Sequence, residues 1–194
     1  SEAPSTTWIY FMTGVAPSLK ENKIRIPVPI QGIDYIVAAF PELVIHEDHI
    51  AGISTRTRQG IGLSSELVSM DRILGNEFNV RLPLIIKQEI ATAIIKTIAA
   101  KAAQEENQGL GMFLLTTIGK DVSTSADLRS WHSLPKQIQL SRIPTPDDGL
   151  IDIIGRDEGF EWPVEVTPNK HNIVVITMPS MGVTQPSIIS ATLN

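Results

Sequence analysis

A chain of 194 residues, 42% hydrophobic and 19% charged, has ordinary globular composition and is long enough to enclose a core in one or at most two domains. Its formal net charge of −5 argues against a nucleic-acid binder, which needs a basic surface. With no cysteine there are no disulfides or thiolate metal sites, and the most apolar run, Leu84 to Ala100, is interrupted by Lys87, Gln88, Glu89 and Lys96, which makes it a poor transmembrane span.

Residues 1–5 are small and polar and predict a loose start. Thr6 to Thr13 reads as a strand apolar on both faces, with Trp8, Tyr10 and Met12 on one and Ile9 and Phe11 on the other. That pattern predicts a central strand covered on both sides. Gly14 to Asn22 is read as a turn or loop. Lys23 to Ile30 then alternates, with Ile24, Ile26, Val28 and Ile30 inward and Pro27 and Pro29 outward. Two prolines on one register remove two donors from one side, which predicts an edge strand unpaired on that side. A Gln31-Gly32 turn leads into a second buried strand, Ile33 to Phe40, closed by Pro41.

Val44-Ile45 and His49 to Ile53 read as short strands. Between them, His46-Glu47-Asp48-His49 offers imidazole and carboxylate donors for zinc or another divalent ion. It lacks the zincin spacing, and in a strand His46 and His49 would fall on opposite faces, so a polar loop or strand end is the alternative. Thr55 to Ser65 reads as a loop. There Arg56 and Arg58 beside Gly60-Ile61-Gly62 could hold an anion or simply be solvated, and the phosphate-loop fingerprint is missing. Glu66 to Leu74 is read as helical. The long helix is expected over Phe78 to Gln108, its regular part starting near Leu82 because Pro83 belongs near a helix start. Ile86, Ile90, Ile94 and Ile98 form its stripe. Gly109 and Gly111 end it, and Leu110 to Ile118 is expected as the second helix of a hairpin.

Asp127 to Ile143 concentrates the unusual residues. Pro135 ends a helix before it, and Gln137 to Ser141 alternates like a half-buried strand. Trp131 and Leu134 are expected to pin this corner to the core. Asp127 and Arg129 could pair with each other, with Arg142 or with backbone. A structural ion pair is one reading; an acid–base or anion site of Asp127, Arg129 and His132 is the other. Leu150 to Ile154 follows as a strand in which Asp152 faces water. Trp162 to Thr167 and Asn172 to Met178 flank Pro168-Asn169-Lys170 as a predicted hairpin. The Ser/Thr/Pro-rich tail from Pro179 carries Ile188-Ile189 and either wanders or adds to a neighbour's sheet edge. There is no nucleophile elbow and no recognisable triad context.

The run Ala126-Asp127-Leu128-Arg129-Ser130-Trp131, then Leu134-Pro135, Ile138 and Arg142-Ile143-Pro144, resembles the C-terminal domain of a family of uncharacterised bacterial envelope lipoproteins. Leu82-Pro83, Gly14-Val15-Ala16-Pro17, Arg25-Ile26-Pro27-Val28-Pro29 and Phe40-Pro41 extend the resemblance, as scattered short motifs, across most of residues 8–178. It implies a full-length protein with a lipoprotein signal and a helical, tetratricopeptide-like region before this domain, so that this chain is a C-terminal piece. It also implies location on the periplasmic side of the envelope, anchored to the outer membrane by a lipid, and carries over no catalytic residue.

The sequence is therefore expected to form an α+β domain over residues 1–178: an antiparallel sheet or sandwich from both chain ends, packed on a central helical hairpin, with 179–194 as a tail. The expected role is a non-enzymatic interaction or scaffolding domain that meets other envelope proteins or itself, with no cofactor, metal or nucleic acid. Its candidate binding residues are Asp127, Arg129, Trp131 and Arg142. The alternative is a hydrolase or small-ligand domain using Asp127, Arg129 and His132, or metal at His46 and His49.

Overall fold

The computed structural model describes residues 4–30, 33–104, 133–156, 160–181 and 185–193. The chain divides into two compact units. One takes Ser1–Pro17, Ile45–Leu74 and Trp131–Asn194, the other Ser18–Val44 and Gly75–Ser130.

The first unit holds two sheets. In chain order its strands are β1 (Thr6–Thr13), β4 (Ile53–Thr57), β5 (Gly60–Leu63), β6 (Ser65–Ser69), β7 (Gln137–Pro144), β8 (Leu150–Gly155), β9 (Glu161–Glu165), β10 (His171–Met178) and β11 (Ser187–Leu193). A five-stranded sheet runs β11-β10-β1-β7-β6, and a four-stranded sheet runs β5-β4-β8-β9. All pairings are antiparallel except β1 with β10, which is parallel. The side-chain period of two sends Ile9 and Phe11 of β1, Ile143 of β7 and Val174, Ile176 and Met178 of β10 to one face. There they meet Ile53, Ile151, Ile153 and Val164 of the second sheet in a single buried cluster. The unit is thus a sandwich, and β1 lies at its centre.

Polar groups trapped between the sheets are satisfied by one another. The Thr7 and Thr145 hydroxyls lie 2.9 Å apart, and the Thr13 hydroxyl accepts the Ile50 N–H at 2.9 Å. Gln139, 1% exposed, is the hub. Its amide nitrogen donates to the Ile50 and Ala51 carbonyls at 3.2 and 3.0 Å, and its carbonyl oxygen lies 2.6 Å from the Ser64 hydroxyl. Ser64 is the single residue between β5 and β6, where the chain leaves one sheet for the other, and its hydroxyl also accepts the Ile53 N–H at 3.0 Å. One amide side chain therefore fixes both the corner strand and the loop before β4. Gln139→Leu keeps the volume but removes the donor to two carbonyls, while the Ser64 hydroxyl keeps the Ile53 carbonyl as an acceptor at 3.0 Å. It is expected to cost about 1–3 kcal/mol in denaturant titration, without loss of the fold.

The second unit contains a long hairpin, β2 (Ser18–Ile30) with β3 (Ile33–Val44), and most of helix α1 (Met70–Gln104). Ile26, Val28, Ile36, Ala38 and Phe40 share one hairpin face and pack on Ile90, Ala93 and Ile94 of the helix. On the other face the Arg25 guanidinium stands 5.3 Å from the centre of the Tyr35 ring, within cation–π range. β2 pairs only with β3 among the described residues, and its register breaks between Pro27 and Ile30.

Several expectations need correction. The fold is not an α+β arrangement around a helical hairpin: the described residues form eleven strands in three sheets and a single helix, a β-rich structure. The second helix expected at Leu110 to Ile118 lies outside the described residues. Glu66 to Leu74 is not one helix, because Ser65–Ser69 pairs with β7 and the helix begins at Met70. Pro83 is therefore interior to α1 rather than near its start. Its missing N–H leaves the Asn79 carbonyl without a helical donor; both residues are exposed, so water can take that place. The strands either side of Pro168-Asn169-Lys170 do not form a hairpin, since β9 and β10 belong to different sheets. There the Asn172 side chain takes the partner's place, accepting the Thr167 N–H at 3.2 Å and donating to the Thr167 carbonyl at 3.0 Å.

Candidate functional site

Of the residues singled out from the sequence, Asp127, Arg129, Trp131 and His132 lie outside the described residues. Arg142 is exposed on β7, directly opposite Trp8 of β1. The His46–His49 segment is not a strand but part of the irregular stretch between β3 and β4. Gly14 follows β1 in a left-handed conformation (φ 67°) that favours glycine. A Cβ there would come within 2.7 Å of the His49 Cβ and 2.9 Å of the Lys136 Cβ, so the segment passes directly over it.

Asp48 ties this segment to the end of β10, accepting the Met181 N–H at 3.0 Å and the Ser180 hydroxyl at 2.8 Å. His49 Nδ1 donates to the Glu47 carbonyl at 2.9 Å. Among the described residues no three His, Cys, Asp or Glu side chains come together as a metal-binding group. The Met181 N–H, then the Ser180 hydroxyl, hold the Asp48 carboxyl below the usual aspartate range. Burial acts weakly the other way, and His49 adds to the lowering. A lowered folded-state value means that the unfolded chain binds the proton more readily. The stabilisation is therefore complete above pH ~4 and is lost as pH falls through the folded value. Asp48→Asn should melt below the parent at neutral pH and converge with it in acid, as read by thermal melts across pH.

The arginines of the suggested anion cradle are already occupied. Arg56 on β4 pairs with Asp152 of β8, at 3.3 Å, and with Glu161 of β9, while Arg58 pairs with Asp148 at 3.0 Å. Arg56, Asp152, Glu161 and Glu165 belong to the outer side of the four-stranded sheet, where they stand among the exposed Ile61, Leu63 and Leu150.

The outer side of the five-stranded sheet is different. The residues of β1 that point away from the core are Trp8, Tyr10 and Met12. Across β7 they face Leu140 and Ile138; along β10 they neighbour Ile173 and Val175; beyond these lie Ala191 and Ile189 of β11, and Val68 of β6 faces Ile138. Arg142 and His171 stand only at one end, and the His171 ring lies 5.6 Å from that of Trp8. None of these apolar side chains belongs to either buried cluster, and those of β1, β7 and β10 are half-buried. Five strands about 4.8 Å apart and roughly eight residues long give a face of some ~600 Å². The sequence pattern had identified the apolar side of β1 but assigned it to a covered layer. The matching alternation in Ile138/Leu140 and Ile173/Val175 was the signal that the whole sheet shares it.

No family model, curated protein or solved structure matches this chain significantly. Among the described residues no helix is long and apolar enough to cross a membrane.

Proposed function

We propose that this chain is a non-enzymatic interaction or scaffolding domain of a bacterial cell-envelope lipoprotein, and that it docks another protein on the outer face of its five-stranded sheet. The observation that carries the reading is the run of aromatic and aliphatic side chains, Trp8, Tyr10, Leu140 and Val175, on the outer face of the five-stranded sheet. That side has the chemistry of a layer interface, whereas the exposed aliphatic residues on the other sheet's outer side, Ile61, Leu63 and Leu150, are interspersed with the Arg56–Asp152–Glu161 ion pairs. Tyr10 and Met12 along the middle strand, with Trp8 and Arg142 at one end, match the aromatic, methionine and arginine enrichment of protein-binding patches. The envelope setting rests on the motif resemblance alone.

Site-specific photocrosslinking in native cells tests both parts. A photoreactive phenylalanine at Tyr10 should give a discrete heterologous protein adduct in the envelope fraction, and Val175→Lys on the same face should abolish it. The same probe at Glu161 should give none. Absence of a Tyr10 adduct would reject the docking face, and an adduct confined to the cytosolic fraction would reject the envelope setting.

A further inference from the structure

A different feature of the same sheet, the open edge of β11, points to a second copy of this chain. Ser187–Leu193 reads Ser-Ile-Ile-Ser-Ala-Thr-Leu, and all seven residues are exposed. One edge pairs with β10 in unbroken register from His171–Leu193 to Thr177–Ser187; among the described residues no strand pairs with the other. Sheet edges are normally protected by a charged side chain, a proline or a bulge. β2 carries two prolines and a register break, whereas β11 has none of these devices. In a chain of net charge −5 it is also an uncharged stretch, so two copies meet there without like-charge repulsion across the strand pair.

We infer that β11 pairs antiparallel with β11 of a second copy, about a two-fold axis passing through Ser190. Antiparallel pairing puts directly opposite residues on the same face. Keeping the apolar outer sides of both sheets on one side therefore requires odd-numbered residues to face odd and even to face even. Of the registers that satisfy this, the one centred on Ser190 alone pairs all seven residues. It sets Ser190 against Ser190, Ile189 against Ala191, Ile188 against Thr192 and Ser187 against Leu193. Ladder parity is no obstacle, since an antiparallel two-fold can centre on either a hydrogen-bonded or a non-hydrogen-bonded pair. The product is one sheet of ten strands, five from each copy, with the apolar outer face continuous across the joint through Val175, Ile189 and the second copy's Ala191 and Ile173. The contact is isologous and closes at two, so it uses up both open β11 edges.

The absence of native cysteine makes the register directly testable. Opposed Cα atoms in an antiparallel pair lie about 4.5–5.5 Å apart, within disulfide range. Ser190→Cys should therefore give a covalent dimer on mild oxidation of the purified chain. Ser187→Cys should not, because its counterpart in this register is roughly 20 Å away. In sedimentation equilibrium over a concentration series, Ser190→Lys, which sets two ammonium groups opposite each other at an exposed position, should weaken self-association at least ten-fold while circular dichroism shows the variant still folded. Failure of Ser190→Cys to cross-link, equal cross-linking at both cysteines, or no effect of Ser190→Lys on association would each overturn the inference. Introducing Tyr10→Thr into the Ser190→Cys chain should leave the cross-link intact, so that loss of the docking face and loss of the dimer are read separately.

Discussion

Phe11→Ala is expected to lower stability by roughly 3–5 kcal/mol, the range for removing a large buried aromatic side chain. Tyr10→Thr, one residue away, should cost about 1 kcal/mol or less. Phe11 is 0% exposed at the centre of the sandwich cluster, whereas Tyr10 is half-buried and points to the outer side of the same strand. Threonine keeps the β-branched preference for a pleated position, so the second substitution tests the loss of apolar bulk more than strand formation. Both are read by denaturant unfolding, where an unchanged slope with a shifted midpoint marks a change in stability rather than in compactness. The difference between the two neighbours is the decisive quantity. If Tyr10→Thr were as costly as Phe11→Ala, the outer face would be covered within the chain itself, and the docking proposal would fall with it.

Alternation located most strands but could not assign them to sheets. Thr6 to Thr13 was readable to its ends because a run apolar on both faces leaves little choice but a strand central in its sheet. Its partners were not readable. A period of two is the same in parallel and antiparallel ladders, and β10 lies more than a hundred residues away. Pro168-Asn169-Lys170 has the local chemistry of a tight turn, and Asn169 does adopt a positive φ of 56°. A turn does not dictate that the flanking strands pair, and here the buried Asn172 side chain supplies the bonds that a partner strand would have made. Ser65–Ser69 shows tertiary context overriding propensity: Glu66 and Leu67 suit a helix, but the edge of β7 offers backbone partners. Gln139 had no sequence signature at all. Its role follows from where β5 gives way to β6, which only the folded chain specifies.

The candidate site was legible to a similar degree. The polar cluster at His46–His49 drew attention through its residue types, yet its strongest bonds run to Ser180 and Met181, a closure of the sandwich end rather than a converging ligand set. Arg56 and Arg58 were visible as charges, but their carboxylate partners, Asp152, Glu161 and Asp148, come from strands and turns far along the chain. The outer face is built from alternate residues of five separate strands, each unremarkable alone. Such a surface becomes visible only once register fixes which half of each alternation points the same way.

Lys136→Met is expected to destabilise the first unit by roughly 2–4 kcal/mol, the cost of leaving a partly buried carboxylate without its cation. The Lys136 side chain is 7% exposed, and its ammonium group contacts Asp71 Oδ2, while Asp71 Oδ1 is buried without another partner. Asp71 lies in the first turn of α1, where a carboxylate is favoured by the helix dipole, and the Met70 N–H donates to the Lys136 carbonyl at 2.8 Å. The pair thus fastens the start of the helix to the entry of β7. The expected cost lies below that of a fully buried pair because the Asp71 side chain is 22% exposed and can recover some hydration. Asp71→Ala alone should also destabilise, by leaving the ammonium group buried. Combining the two substitutions removes both charges, so the double variant should be more stable than Lys136→Met alone, with a coupling of about 1–3 kcal/mol in a double-mutant cycle. Additive losses would show that the two charges are solvated independently and that the backbone bond from Met70 alone holds this junction.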